Sequence, residues 1–355
     1  MNLQTIVDIG FSKLSKGLKL KDETIVLYQE SYLILYNKIL SSEIKCFSDN
    51  NGHYYKDIKS IKQLKNGNIL CCNDKLFIIK NNIKLKKYEI DTIEISKEKS
   101  NEKNEKFLDV IELYNETIIG ITNNSLYNIK FLNGNYKLTS IFDIPEDWLI
   151  FWGDKYSYET EVNLNIYELK NNRLLFHSYS YFFHKGCLLN PGTTIKESKI
   201  FIIDLNDFKV IYKENFPDIA NIIVLNDCFC IRHSNTIFIY NINDYKILQK
   251  IGSNIEYINK YNDKIIIASN KIKDIILYNL SDINNIQYEI FCFNLRDYCF
   301  GENIIKFICK FRHKTILILA NYYLFIAEFP RNFNFKPIAQ KKNSDIDYEI
   351  DKIKK

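Results

Sequence analysis

Two short sequence units alternate along the whole chain, and their joint recurrence is the strongest constraint on what it can fold into. The first runs apolar residue, two spacers, apolar anchor, a polar turn holding Asn or Asp, and a second apolar run. Its clearest copy is Ile61-Lys-Gln-Leu64-Lys-Asn-Gly67-Asn-Ile-Leu70, and Ile166-Tyr-Glu-Leu169-Lys-Asn-Asn-Arg-Leu-Leu175 nearly superimposes on it. The anchor recurs at Leu20, Leu64, Leu113, Leu169, Leu225, Tyr261 and Phe311. The second unit is an apolar run closed by a polar residue and a turn, as in Ile-Phe-Ile-Tyr-Asn241-Ile-Asn-Asp. Its markers are Asn37, Lys80, Asn128, Asp204, Asn241, Asn279 and Glu328, which fall 15 to 18 residues after the anchors in six copies and 35 after in the fourth.

Runs rich in Ile, Tyr, Phe and Val, broken by Asn, Asp and Gly, read as short strands joined by tight turns. Helical periodicity is almost absent. Two hairpin-connected strands, a third, and a more polar fourth such as Phe208 to Phe216 make a four-stranded unit. Such a unit cannot bury both of its faces alone, so copies at a fixed period must stack on one another. The fold expected is all-β: a seven-bladed β-propeller of four-stranded antiparallel blades over residues 1–335, with a charged tail at 336–355. A β-sandwich or two unrelated β domains would share the strand rhythm but not seven copies of two linked markers. Either Leu3 to Ile9 or Phe333 to Ala339 can supply the outer strand that completes the last blade.

The stretch from Gly52-His53 through Ile58, Ile61, Leu64, Asn66-Gly67 and Asp74 to Ile79 resembles a WD40 repeat, with the Gly-His pair, the turn and the later Asp in order. Asp204 stands at the corresponding Asp position of another copy. The Trp-Asp dipeptide is missing from every copy, so the resemblance spans residues 18 to 330 in pattern and is specific in one repeat. It implies a binding scaffold, with the N-terminal strand closing the last blade and His53 in a structural hydrogen-bonding role.

Three connections exceed the repeat: 96–106, 145–162 and 180–198. Loops carry the variable contacts of such scaffolds, and the last two are rich in aromatics. The candidate partner-binding residues are Trp148, Phe151, Trp152, Tyr156, Tyr158, Tyr181, Phe182 and Phe183, large side chains of the kind that dominate docking energetics. The competing reading is that the two insertions pack on each other as a satellite core. The segment 96–106 has charges of both signs and no apolar residue, which suits a solvated loop.

The remaining signals are exclusions. Lys+Arg 48 against Asp+Glu 43 gives +5, too even for a nucleic-acid footprint. The nine cysteines form no CxxC pair and are read as reduced, buried thiols of a cytoplasmic protein. No signal peptide or membrane span is expected. His177, His184 and Cys187 match no zinc spacing, and no motif for a nucleophile, metal or phosphate is present. No cofactor, metal or catalytic residue is therefore assigned, and the chain is read as a non-catalytic protein–protein interaction scaffold. A propeller enzyme and a phosphoinositide-binding propeller are the rivals. The latter depends on a Phe-Arg-Arg-Gly motif, whereas Phe311-Arg312-His313-Lys314 lacks the second Arg and the Gly.

Overall fold

The structure is a computed structural model that describes residues 3–8, 16–21, 25–29, 32–36, 58–72, 76–82, 87–93, 106–132, 135–148, 160–182, 194–217, 219–252, 254–270, 274–291, 305–312, 315–320, 323–329 and 336–337. It is built of short antiparallel strands. After β1 (Leu3–Asp8), strands β2 (Lys16–Lys19), β3 (Ile25–Gln29) and β4 (Tyr32–Tyr36) form a three-stranded sheet in that order. Four-stranded sheets follow: β5 (Ser60–Gln63), β6 (Ile69–Cys72), β7 (Leu76–Asn82) and β8 (Lys87–Ile93), then β9 (Phe107–Glu112), β10 (Ile118–Thr122), β11 (Ser125–Leu132) and β12 (Asn135–Asp143). The next comprise β13 (Thr160–Leu169), β14 (Arg173–Phe182), β15 (Thr194–Asp204) and β16 (Val210–Phe216), and β17 (Ile219–Val224), β18 (Cys228–His233), β19 (Thr236–Asn241) and β20 (Ile247–Ile251).

The last two sheets borrow strands from the ends of the chain. To β21 (Ile255–Lys260), β22 (Ile265–Asn270), β23 (Ile275–Asn279) and β24 (Gln287–Phe291) is added β28 (Lys336–Pro337) as a fifth strand. To β25 (Ile305–Arg312), β26 (Thr315–Ala320) and β27 (Tyr323–Glu328) is added β1, antiparallel to β27 from Leu3↔Ala327 to Asp8↔Tyr323. The N-terminal segment therefore completes the last sheet, and the C-terminal one pairs elsewhere. The tail expected to begin at 336 starts with two paired residues.

Six sheets thus have four or more strands, where seven four-stranded blades were expected. The difference is β2–β3–β4, which has three strands among the described residues; Asn37 and most of the WD40-like stretch before Ile58, including Gly52 and His53, lie outside the described residues.

Each anchor stands within one residue of the end of its sheet's first strand. Leu20, Leu64, Leu113, Leu169, Leu225 and Tyr261 are all buried, and the turn that follows closes on the anchor's own backbone: Leu64 N–H donates to Asn68 O and Leu113 N–H to Thr117 O, each at 2.8 Å. The turns need a left-handed residue, supplied by Gly67 (φ 91°) in one and by Asn171 and Asn172 (φ 63° and 57°) in another. The second markers fall in or directly after the third strands. Asp204, Asn241 and Asn279 each cap the following turn, their Oδ1 accepting from the N–H of Asn206, Asn243 and Ser281.

The chain divides into two compact units, Leu20–Asn215 and Met1–Lys19 with Phe216–Lys355. In the first, Leu70, Cys72 and Ile78 pack on Phe107, Val110 and Ile129, and Ile119, Ile121 and Leu126 pack on Ile166, Leu174 and Phe201. In the second, Cys230, Ile237 and Ile239 pack on Ile258, Ile266 and Ala268, and Ile267 and Leu277 on Ile308, Ile318 and Phe325. The core is therefore a series of apolar layers between neighbouring sheets, as stacking demands. Cys71, Cys72, Cys228, Cys230 and Cys309 are buried and form no disulfide. Burial pushes the Cys71 thiol far above its usual range and, against a smaller opposing effect of Lys19, that of Cys309 up to about 12.

Candidate partner-binding rim

The fourth four-stranded or shorter sheet in chain order, β13 to β16, departs from the others in length. Strands β13, β14 and β15 have 10, 10 and 11 residues, whereas among the described residues the longest strand elsewhere, β12, has 9. The insertions 145–162 and 180–198 are thus partly strand: the β13–β14 ladder runs from Leu169↔Arg173 to Thr160↔Phe182, and β15 joins it up to Phe182↔Thr194 after a register shift at Ser180/Tyr181. Alternation of Tyr and Ser in Ser178-Tyr-Ser-Tyr181 carries the strand past the point where the repeat turns.

The root of the first insertion is fixed. A 3-10 turn at Glu146–Trp148 presses Trp148, 3% exposed, against the sheet. Its indole stacks on Phe201 at 4.7 Å and 13°, with Phe142 at 5.4 Å and Phe176 at 5.5 Å. Beside it Lys213 pairs with Asp147 at 2.8 Å, and the Asp147 carbonyl accepts from Lys199 Nζ at 3.0 Å. The Lys213 ammonium holds the Asp147 carboxyl below its usual range.

These positions correct one assignment. Trp148 is a core residue and not a docking anchor, because an indole enclosed by three phenylalanines has no face left for a partner. For this residue packing against the sheet is what the structure shows. Of the other seven candidates, Tyr181 and Phe182 lie at the end of β14, paired to Glu161 and Thr160. Phe151, Trp152, Tyr156, Tyr158 and Phe183 fall outside the described residues, as does most of 96–106.

A second set of residues escaped the sequence reading. Within each unit the first strands of successive sheets are neighbours, β5 to β9 to β13 and β17 to β21 to β25. Polar side chains cross these seams. Lys21 N–H donates to Gln63 Oε1 at 2.8 Å, Lys65 N–H to Glu112 Oε2 at 2.6 Å, and Tyr114 N–H to Glu168 Oε1 at 2.8 Å. In each, the residue after one anchor is held by the residue before the next. Lys21 Nζ and Lys65 Nζ repeat the step, donating to the carbonyls of Lys65 and Tyr114. Deeper in, buried Asp109 accepts from its neighbour Val110 N–H at 2.8 Å and from Ile166 N–H at 2.9 Å. In the other unit Asn221 Nδ2 donates to Ile258 O at 2.8 Å and Asn259 Nδ2 to Ile308 O at 2.6 Å.

His177 sits on β14, 3% exposed and stacked on Tyr179 at 4.7 Å. Burial pushes its pKa down to about 3, and neither ring nitrogen has a hydrogen-bond partner among the described residues. A neutral imidazole of this kind is poorly suited to proton transfer near neutrality. Among the described residues no group of three or more His, Cys, Asp or Glu side chains could hold a metal ion. No described helix is long and apolar enough to cross a membrane.

No family model matches the chain, and no curated protein does. Solved structures do match. A crystal structure of BBS1N in complex with ARL6DN, soaked with mercury, is similar with a TM-score of 0.54 at 9% identity, covering 93% of this chain and 96% of that one. PorZ, a bacterial surface component of the type-IX secretion system of Porphyromonas gingivalis, gives 0.51 at 10% identity over 95% of this chain and 39% of that one. A crystal structure of the mitotic checkpoint complex gives 0.50 at 7% identity over 90% and 92%. The antiparallel sheets with their adjoining first strands are blades of a β-propeller.

Proposed function

We propose that the chain is a non-catalytic interaction scaffold that engages a protein partner at the rim built on β13–β15. The observation that carries this reading is the prolonged sheet on a fixed root: three strands longer than any other among the described residues, beside a 3-10 turn clamped by Trp148 and Asp147. A pre-organised support reduces the ordering cost of binding. Phe151, Trp152, Tyr156, Tyr158, Tyr181, Phe182 and Phe183 are the proposed anchors. The similar structures support the reading in that two of the three are of protein complexes.

In the same reading β2–β3–β4 is the first blade of a seven-bladed, WD40-like propeller. The seven recurring anchors, six of them buried, support that number. The buried thiols, which form no disulfide, favour a reducing, cytoplasmic setting.

The test is affinity capture with the full-length chain against a variant carrying Phe151→Ala, Trp152→Ala and Phe183→Ala, Trp148 being left intact. Loss of specific partners at an unchanged melting temperature is the expected result. An identical set of partners overturns the rim assignment.

A further inference from the structure

Two turns of neighbouring sheets share one hydrogen-bond frame and differ at one reactive position. After β5, Leu64 N–H donates to Asn68 O at 2.8 Å, Gly67 N–H to Leu64 O at 2.9 Å, and Asn68 N–H to Asn66 Oδ1 at 3.0 Å. After β9, Leu113 N–H donates to Thr117 O at 2.8 Å, Glu116 N–H to Leu113 O at 2.9 Å, and Thr117 N–H to Asn115 Oδ1 at 3.1 Å. Gly67 and Glu116 are both left-handed, with φ 91° and 67°, and Asn66 and Asn115 are both exposed. The asparagine is followed by glycine in the first turn and by glutamate in the second.

An asparagine side-chain amide is open to attack by the backbone nitrogen of the next residue, and a glycine there has no Cβ to hinder the approach. In the folded turn both groups are engaged, Gly67 N–H on Leu64 O and Asn66 Oδ1 on Asn68 N–H. The turn is braced further by Glu112 Oε2, which accepts from Lys65 N–H at 2.6 Å, and by Lys65 Nζ, which donates to the Tyr114 carbonyl. Reaction at Asn66 therefore requires local opening of the turn.

We propose that Asn66 is a site of spontaneous deamidation, gated by the brace from Glu112 across the seam. Hydroxide takes the Gly67 N–H proton, the Gly67 nitrogen bonds to Asn66 Cγ, and the Cγ–Nδ2 bond breaks. Nδ2 takes a proton from water and leaves as ammonia. Water then opens the succinimide ring: breaking the bond from nitrogen to Cγ leaves aspartate, and breaking the bond from nitrogen to the Asn66 main-chain carbonyl carbon leaves isoaspartate. Nothing is oxidised or reduced; water enters, ammonia leaves, and the chain gains one negative charge. In isoaspartate the main chain is one methylene longer between Leu64 and Gly67, beside the Lys65–Glu112 brace. Chemical ageing at this residue thus loosens the seam between β5 and β9.

The full-length chain, its Glu112→Ala and Glu112→Gln variants and a synthetic peptide of residues 61–72 are incubated at mildly alkaline pH. Conversion is followed by peptide mass mapping, with thermal melts to confirm folding. Asn66 should convert while Asn115 stays an amide, and about ten-fold or more slowly in the folded chain than in the peptide, as two ordinary hydrogen bonds require. Glu112→Ala should speed conversion about five-fold, the worth of one such bond, and Glu112→Gln, which keeps an acceptor oxygen, should match the parent. An Asn66 that is still an amide once the peptide has fully converted, or that converts no faster than Asn115, overturns the site. Equal rates in the parent and the alanine variant overturn the gating.

Discussion

The backbone N–H of Tyr114 donates to Oε1 of Glu168 at 2.8 Å, tying the turn after one first strand to the end of the next. Gln63 and Glu112 do the same for Lys21 and Lys65. The residue before an anchor is thus a brace between sheets, and a carboxylate or a primary amide serves because each presents an oxygen at the same reach.

Glu168→Gln should therefore keep the bond, and Glu168→Ala should lower stability by about 1 kcal/mol, the net worth of one hydrogen bond. Burial, the largest influence, raises the Glu168 carboxyl above its usual range against smaller opposing effects of Tyr114 N–H and Lys65. A carboxyl whose folded pKa is raised destabilises the fold while ionised, and that penalty disappears as pH falls through the folded value. The glutamine variant should accordingly be at least as stable as the parent at neutral pH, with its advantage shrinking in acid. Urea titrations at several pH values test both statements.

Asp109 is a stricter case. Its Oδ1 accepts from Val110 N–H and its Oδ2 from Ile166 N–H, and the side chain is 2% exposed. Asparagine has one acceptor oxygen and cannot serve both amides. Asp109→Asn should cost about 1–3 kcal/mol and Asp109→Ala more, since a buried unsatisfied donor bears its full desolvation penalty. Urea denaturation midpoints give the ranking; equal stability of parent and asparagine variant would remove the bridge from the account.

How much of this was legible follows from where each partner lies in the chain. The anchors and Asx turns were readable because their bonds close within a few residues: Leu64 to Asn68, Asn241 to Asn243. The seam braces were not. Gln63, Glu112 and Glu168 look like solvated spacers, and Asp109 looks like an outward polar residue in Phe-Leu-Asp-Val, because their partners stand 42 to 57 residues away. The long strands of β13–β15 were read as loop because the repeat set the expected length. Composition also misled at Trp148, where an aromatic beside Pro and acidic residues resembles a surface anchor.

His177 carries a pH signature. Burial holds its pKa down to about 3 from 6.5. The unfolded chain therefore takes up a proton below pH 6.5 that the folded chain refuses, and stability falls toward acid until about pH 3. The slope from this one group is at most about 1.4 kcal/mol per pH unit. His177→Phe keeps a ring to stack on Tyr179 and should flatten the acid limb of the stability profile between those limits. A profile as steep as the parent's would show that His177 is not protonated on unfolding.

The two tryptophans should part company under mutation. Trp148 fills a slot between Phe142, Phe176 and Phe201, and deleting an indole from such a site removes its contacts and leaves a cavity. Trp148→Ala should cost about 3–5 kcal/mol, and Trp148→Phe markedly less. The clamp of Asp147 by Lys213 and Lys199 cannot hold the turn alone, because those groups are exposed and their attraction is screened. Salt should accordingly leave the parent's melting temperature almost unchanged, while the alanine variant melts well below it. If Trp152→Ala destabilised the chain as much as Trp148→Ala, both tryptophans would belong to the core and the proposed rim would lose its principal anchor.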